Sequence, residues 1–533
     1  MRANHQFAHA IVPRRRPPKL HPVLDEIDYA RTKRLIWSLG ATGFLLQMLF
    51  AGRYGYFRDE LYYIAASDHL AFGYVDFAPL IAWLTRTFRF VFGDSLHAIR
   101  LLPALAFGAE VILTGYITLQ LNGKRWAIFL ACISTMLAPT ILGNGTRLAM
   151  NPIEPFFWMG CIYVLLLAIN RNDPRLLLWC GVLLGFGMLN KHSTIFFLGS
   201  LVLALLLVPE RRFLRTKWFW LAAAIAFLIT LPNIAWEYTH HFPTLEDLRN
   251  VKATHKNVEL PPLPFLKQQI MMLNPITDLV WLVGLGFLLF HRSAKPFRVL
   301  AYTYLIFLAA MMYMKGKDYY LAPIYPMLFA AGGVFWEQLI AARPRFRWLL
   351  YALPAVVLVM CLFSAPLAIP ILPPEQIGPY MEALGMKMSR TETSMTGLLP
   401  QHFGDQFGWE EMVATVAQLY NNMPPEQRAK TAILAGNYGE AGAIDFFGPR
   451  YGLPKSISAH QNYYYWGPRD YTGESVILLE WKLESAQRWC GSVEKGPHND
   501  PYWGMGWERY DILVCHNLKM PLTEAWPHFK VWN

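Results

Sequence analysis

Charge is scarce in this chain. Asp, Glu, Lys and Arg make up 16% of its 533 residues, where a soluble protein carries about 25%. Hydrophobic residues make up 54%, and the mean hydropathy is +0.24. Most of the chain is therefore excluded from the class of ordinary soluble domains. Cysteine is scarce too, with six residues and no C-x-x-C pattern, which excludes the usual zinc frameworks. Cys132, Cys161, Cys180 and Cys361 fall in apolar runs, where a thiol behaves as a small hydrophobe. Only Cys490 and Cys515 lie in the polar C-terminal part. P-loop, dinucleotide-binding and G-x-S-x-G motifs are all missing, which leaves nothing to recommend a nucleotide-sugar donor. There is no internal repeat, and the sole biased tract is an Arg/Pro-rich tail.

What the chain has in quantity is apolar runs of about 17 to 22 residues, the length that crosses a bilayer. After a basic tail over residues 1–34, containing Arg14, Arg15 and Arg16, runs at 35–51, 98–121, 126–143, 152–169, 175–190, 193–208, 217–235, 269–290, 298–314, 320–341 and 347–366 predict about eleven transmembrane helices. The net charge of +11 comes from Lys and Arg gathered in alternate short connectors, a pattern of membrane topology that calls for no nucleic-acid partner. Positive-inside bias puts Lys124, Arg171, Arg211, Arg292 and Arg343 on the cytoplasmic side with the tail. The first long loop, 52–97, and everything after 369 then face outward. Residues 35–368 read as the transmembrane part and 369–533 as a soluble α/β domain. In that domain TAILAGN and SVILLEW have the pattern of buried strands, and EEMVATVAQLYNN has helical periodicity.

The stretch YGYFRDELYYIAASDHLAFGYVDFAPL, residues 54–80, carries Arg58, Asp59, Glu60, Asp68, His69 and Asp76 between two apolar runs. Ionisable groups beside a membrane are costly unless they serve a function, and the interleaved aromatics suit a lipid–water boundary. Adjacent carboxylates point to different faces of a helix or a strand, so one of Asp59 and Glu60, not both, is a candidate general base. The plain alternative is a solvated interfacial loop. After it, LIAWLTRTFRFVFG spaces apolar residues as an interfacial helix does.

RDELYYIAASDHLAFGYVDFAPLIAWL, GFGMLNKHSTIF, KGKDYYLAPIYPMLFAAGG and GNYGEAGAIDFFGPRYGLP resemble the family 39 glycosyltransferases of the GT-C fold. That superfamily holds the protein O-mannosyltransferases and the aminoarabinose–lipid A transferases, and the resemblance favours its bacterial branch. It implies a polytopic α-helical membrane enzyme of the bacterial inner membrane. Such an enzyme takes a sugar from a polyprenyl-phosphate carrier on the outer face and gives it to a protein, lipid or polysaccharide. By place in the motif, the family's acidic residue maps onto Asp59, with Glu60 beside it. Arg58, Lys191, Lys317 and Tyr320 are candidates to hold the donor phosphate, with Tyr319 next to them. Many relatives have an acidic residue where this chain has Asn151. Glu154, three residues on and on the same helix face, either takes that role or only favours the start of a helix. Asp76 is expected to shape the loop.

No cofactor is required on this reading. His240, His241 and His255, with Glu237, Glu246 and Asp247 nearby, match no known metal spacing, so metal dependence stays open. Glu110, inside an apolar run, is left without a role. Asn144-Gly145-Thr146 fits the glycosylation pattern but lies against the membrane. Cys490 and Cys515 are the disulfide candidates, because an outward-facing domain can hold a bridge and the domain contains no others. The alternative function is a transporter or flippase of lipid-linked sugars. Transporters place polar groups at the bilayer midplane, whereas this chain gathers them at one face.

Overall fold

A computed structural model describes residues 26–386, 388, 392 and 397–533. The Arg/Pro stretch of the expected tail lies outside the described residues. So does the rest of the tail up to residue 25, whereas residues 26–34 belong to a first helix, Glu26–Phe50, that begins ahead of the run expected at 35–51.

Among the described residues, five helices are long and apolar enough to cross a membrane: Leu96–Gln120, Lys217–Thr239, Arg292–Met314, Asp318–Ala342 and Pro344–Ala368. The number rises to seven if each of two bent helix pairs is one span. This is fewer than the eleven expected, and proline shortens or bends three of the expected runs. The run expected at 126–143 stops at Leu137 and restarts at Pro139. The one expected at 269–290 is broken between Met272 and Pro275 and bends by 91°. Thr194–Leu206 turns by 115° into Pro209–Arg215. Proline has no N–H to continue the helix ladder and clashes with the preceding turn.

The Glu26–Phe50 and Leu96–Gln120 helices pack together, and the loop joining them is itself helical. Arg58–Asp68 forms one short helix and Leu80–Phe92 a second. The second buries Leu80, Ile81, Ala82 and Thr85 and exposes Phe90, Val91 and Phe92. Such division of faces is what an interfacial helix requires.

The C-terminal part carries a five-stranded mixed sheet. Its strands are β1 (Thr431–Ala435), β2 (Ile457–Ser458), β3 (Ser475–Leu478), β4 (Cys490–Asn499) and β5 (Tyr510–Leu518), in the order β2-β1-β3-β5-β4. β1 runs parallel to β2 and β3, while β5 is antiparallel to β3 and β4. Alternate residues face opposite sides of a strand. Ala432, Leu434, Val476, Leu478, Leu513 and Cys515 therefore pack on the Leu522–Phe529 helix. Ile433, Ala435, Ile477 and Ile512 face the other way and join one continuous apolar core with Ile444, Leu61 and Tyr62. Cys490 and Cys515, on neighbouring strands with Cα atoms 5.5 Å apart, are disulfide-bonded.

The sheet part is seated directly on the loop. The Tyr438–Phe447 helix lies on the Arg58–Asp68 helix. Two glycines one turn apart allow the approach. A Cβ at Gly442 would stand 2.9 Å from the Leu61 backbone, and one at Gly439 would stand 2.4 Å from Arg58 Cγ.

Candidate active site

The helix that starts at Arg58 separates the two neighbouring carboxylates by environment. Glu60 is fully buried against an equally buried Arg100, which donates from Nε to Oε1 and from Nη2 to Oε2, both at 3.0 Å. Glu60 also accepts the Phe57 N–H at 2.8 Å and the Leu148 N–H at 2.8 Å. Arg100 spends its other donors on the carbonyls of Ala51, Arg53 and Gly55 and on Gln406. Both partners are thus saturated, so the arrangement anchors the loop and leaves Glu60 no lone pair for a substrate. The sequence leaves either carboxylate open as the base; in the structure Glu60 is the one held by buried hydrogen bonds.

Asp59 lies on the neighbouring face with 31% of its side chain exposed. Its Oδ1 accepts a hydrogen bond from the Tyr438 hydroxyl at 2.8 Å. β1 delivers Asn437 and Tyr438 from its carboxyl end, and Asn437 caps the next helix through the Gly439 and Glu440 N–H groups, which is the usual work of an N-cap side chain. Tyr438 stacks on Tyr62 at 4.5 Å and on His460 at 5.1 Å. Arg58 is folded under the same ring, 5.1 Å from its centroid, and lies 3.9 Å from Asp59.

Asp76 returns on the far side of Tyr62. The Tyr62 hydroxyl donates to its Oδ1 at 2.9 Å and accepts the Asn462 N–H at 2.9 Å. Burial, reinforced by the charges of Asp247 and Asp59, pushes the Asp76 carboxyl up to about 8. Burial also pushes the Tyr63 hydroxyl well above its ordinary value, with Asp59, Asp76 and Tyr319 facing it. Tyr319 therefore borders the same space.

Toward the membrane, Lys191 donates to Asn151 Oδ1 at 2.8 Å and to Glu154 Oε2 at 3.1 Å, and Ser193 donates to the other oxygen of Glu154. Lys191 Nζ lies 4.6 Å from the Tyr320 ring centroid and 5.9 Å from that of Tyr319, and Lys317 Nζ lies 5.9 Å from the latter. Glu154, one of whose expected roles was a second acid, is thus spent on an ion pair. Asn151 completes that cluster. Lys191 keeps one N–H beyond these two bonds.

Other groups of the site were missed in the sequence. Arg147 lies beneath Phe57, 5.0 Å from its ring centroid. Burial pulls its guanidinium down to about 10, with Glu60, Asp59 and Asp405 nearby in opposition. Lys256 stands among Glu392, Arg58, Lys317 and Asp247, and its ammonium is lowered by burial. His460 is held neutral, its imidazole pushed down to about 3 by burial with Lys256 and Arg58 alongside. Tyr438 lay inside GNYGEAGAID, already singled out. Nothing local marked Lys256, which lies in a polar connector like any surface lysine.

His240 contacts the Trp236 carbonyl and stacks on the Trp236 ring. Among the described residues no group of three or more His, Cys, Asp or Glu is arranged to hold a metal ion.

Residues 76–236 match the family described as dolichyl-phosphate-mannose-protein mannosyltransferase. The match takes in Asp76, Glu154 and Lys191 and stops short of Asp59 and Lys317. The lipid A galacturonosyltransferase RgtD of Rhizobium johnstonii is 25% identical over 223 residues, 41% of this chain and 46% of the relative. The chain thus spans about half the length of that relative. Two crystal structures of ArnT from Cupriavidus metallidurans, one bound to undecaprenyl phosphate and one in the apo state, superpose with TM-scores of 0.59 and 0.58. Each is 12% identical, and each comparison covers 90% of this chain and 97% of the ArnT chain. The fold is accordingly that of the GT-C transferases, and the chain is similar to the family 39 glycosyltransferases.

Proposed function

We propose that this protein is an integral-membrane glycosyltransferase. It moves a sugar from a polyprenyl-phosphate donor of the undecaprenyl kind to a lipid acceptor on the outer side of a bacterial inner membrane. The acceptor hydroxyl oxygen bonds to the anomeric carbon as the bond from that carbon to the phosphate oxygen breaks. Asp59 takes the hydroxyl proton, and the lipid phosphate leaves with the electron pair. General-base assistance of this kind contributes about 10²- to 10⁴-fold. Lys317, Arg58 and Lys191, with Tyr320 and Tyr319 as neighbouring hydroxyls, are proposed to offset the charge that grows on the phosphate. Cations placed where charge develops stabilise the transition state. Arg147 and Lys256 are added to this set.

The observation that carries the reading is the division of labour between neighbours. Glu60 is saturated at 0% exposure, while Asp59 stays accessible, oriented by Tyr438 and with the Arg58 and Arg147 guanidinium groups nearby. The name of one relative, a lipid A galacturonosyltransferase, favours a lipid over a protein as acceptor. A bridge between Cys490 and Cys515 suits an oxidising compartment and supports placing the sheet part outside the cytoplasm.

The test is transfer by the full-length protein in nanodiscs, supplied with synthetic undecaprenyl-phosphate sugars and extracted membrane lipids. Release of undecaprenyl phosphate with glycosylated lipid as co-product is expected, and it should fail with Asp59→Asn. Translocation of an intact lipid-linked sugar with no release would overturn the enzyme reading in favour of a transporter.

A further inference from the structure

A second polar cleft lies on the far side of the loop helix from Asp59. Ile64, Ala65 and Asp68, which line it, follow Asp59 by five, six and nine residues. At about 100° per residue they centre on the opposite face, and Asp68 lies about 14 Å further along the axis. The Arg58–Asp68 helix thus separates two spaces. The cleft has a volume of about 660 Å³ and is closed on its other side by the sheet part, through Gly442, Asp445 and Phe446 and three cations, Arg450, Lys455 and Arg469.

Its hydrogen-bonding capacity is unbalanced. The carboxylates are each ion-paired or hydrogen-bonded within the protein. Asp68 accepts from Arg86 at 2.8 Å and Arg89 at 2.9 Å, and Asp94 accepts from Arg89 at 2.6 Å. Asp445 is held by the Ser456 N–H at 2.8 Å, the Ser456 hydroxyl at 3.0 Å and the Tyr463 hydroxyl at 3.1 Å. Arg89, with further bonds to the Ile64 carbonyl and the Ser67 hydroxyl, is spent on the loop. The cations of the sheet part are tethered without being used up. Lys455 gives one N–H to the Asp445 carbonyl at 2.9 Å, and Arg469 gives its Nε–H to the Ser456 carbonyl at 3.2 Å. Arg450 lies 3.5 Å from Glu410. Each keeps donors for something else, and donors fixed at one point are better aimed than those on a loose side chain.

The walls add flat apolar surface. Phe446 forms one side, and the His69 imidazole, stacked on Trp466 at 4.3 Å, forms another. The volume falls within the range of small-molecule sites, about 300 to 1,000 Å³, and greatly exceeds the needs of a bare inorganic anion. A rim of guanidinium and ammonium donors favours phosphate or carboxylate, and ring faces suit the C–H face of a sugar.

We propose that this cleft binds a saccharide bearing a phosphate or carboxylate group, at a site separate from the Asp59 centre. The inference stands whether or not Asp59 is a catalytic base. Two sources share this chemistry: a soluble sugar phosphate, and the headgroup of a membrane glycolipid. The second has a route, because the helix that supplies Arg89 exposes Phe90, Val91 and Phe92 at its end.

The experiment titrates the full-length protein, in phosphatidylcholine nanodiscs, with glucose 1-phosphate and with glucose. A second arm compares nanodiscs with and without glucuronosyl diacylglycerol, a glycolipid whose sugar bears a carboxylate, by native mass spectrometry. Glucose 1-phosphate should bind at least about tenfold more tightly than glucose, and K455Q/R469Q should lose about tenfold or more of that affinity, as expected for lost charge-assisted hydrogen bonds. Asp59→Asn should bind as the wild type does, and Arg469→Lys should recover part of the loss. Binding that depends on Lys455 and Arg469 and is confined to glucuronosyl diacylglycerol supports the site with a headgroup as its occupant. Equal affinity of wild type and K455Q/R469Q in both arms, or loss in Asp59→Asn alone, would overturn it.

Discussion

Asp59 and Glu60 are one peptide bond apart and stand in opposite surroundings. Glu60 takes four hydrogen bonds from Arg100, Phe57 and Leu148. Removing its charge strands a buried guanidinium, so Glu60→Gln should destabilise the protein by about 3 to 5 kcal/mol, read as a lower unfolding temperature in detergent. Asp59→Asn should leave stability nearly unchanged and reduce turnover by about 10²- to 10⁴-fold. A collapse of turnover in Glu60→Gln at unchanged unfolding temperature, with Asp59→Asn active, would exchange their roles. Tyr438→Phe removes a hydrogen bond to a charged acceptor, worth about 1.5 to 3 kcal/mol. It should therefore lower kcat by about 10- to 100-fold and leave KM for the donor nearly constant, because the hydroxyl positions Asp59 and has no contact with the lipid carrier on this reading.

The pairing of the Arg58–Asp68 and Tyr438–Phe447 helices joins the membrane part to the sheet part. A methyl at Gly442 would press on the Leu61 backbone at 2.9 Å, which has no flexible end to yield. Gly442→Ala should cost about 1 to 3 kcal/mol, as overpacking usually does, and should lower activity by displacing Tyr438 from Asp59. Paired thermal-unfolding and turnover measurements on the same preparation would check both. Asp76, on the loop that follows, supplies a pH test. Its carboxyl is pushed up to about 8 from an ordinary 3.8, so the folded state prefers the neutral form. That stabilisation is complete below about pH 4 and is lost as pH rises through about 8. Asp76→Asn stays neutral and still accepts from Tyr62. Its unfolding temperature, relative to wild type, should rise steadily between those limits, and a difference independent of pH would refute the assignment.

At the scale of the whole molecule, the bridge between β4 and β5 closes the edge of the sheet. Cys490 and Cys515 are 25 residues apart in sequence, and reducing a loop of that length costs about 3 kcal/mol on the chain-entropy model. Thiol labelling of intact cells should find both cysteines blocked until reductant is added. A reporter fused after Asn533 should be active outside the cytoplasm. Cytoplasmic activity of that reporter would overturn the sidedness and the external active site with it.

Much of this architecture was legible in the chain itself. Low charge and long apolar runs marked a membrane protein, short continuous apolar runs between turn residues marked the fully buried β1 and β3, and the polar, aromatic loop at 54–80 marked the place of the site. These are local properties, set by composition and spacing within one segment. The number of spans was less legible, because prolines at 139, 209 and 275 turned apolar runs into bent or short helices. The roles within the site were hidden for a different reason. Asp59 and Glu60 differ only by the groups that close on them, and Arg100, Leu148 and Tyr438 come from 40, 88 and 379 residues away. The loop and its chemistry were determined by sequence. Which carboxylate is saturated and which stays open was decided by tertiary packing, because hydrogen bonds and burial at one residue depend on segments brought together only by the fold.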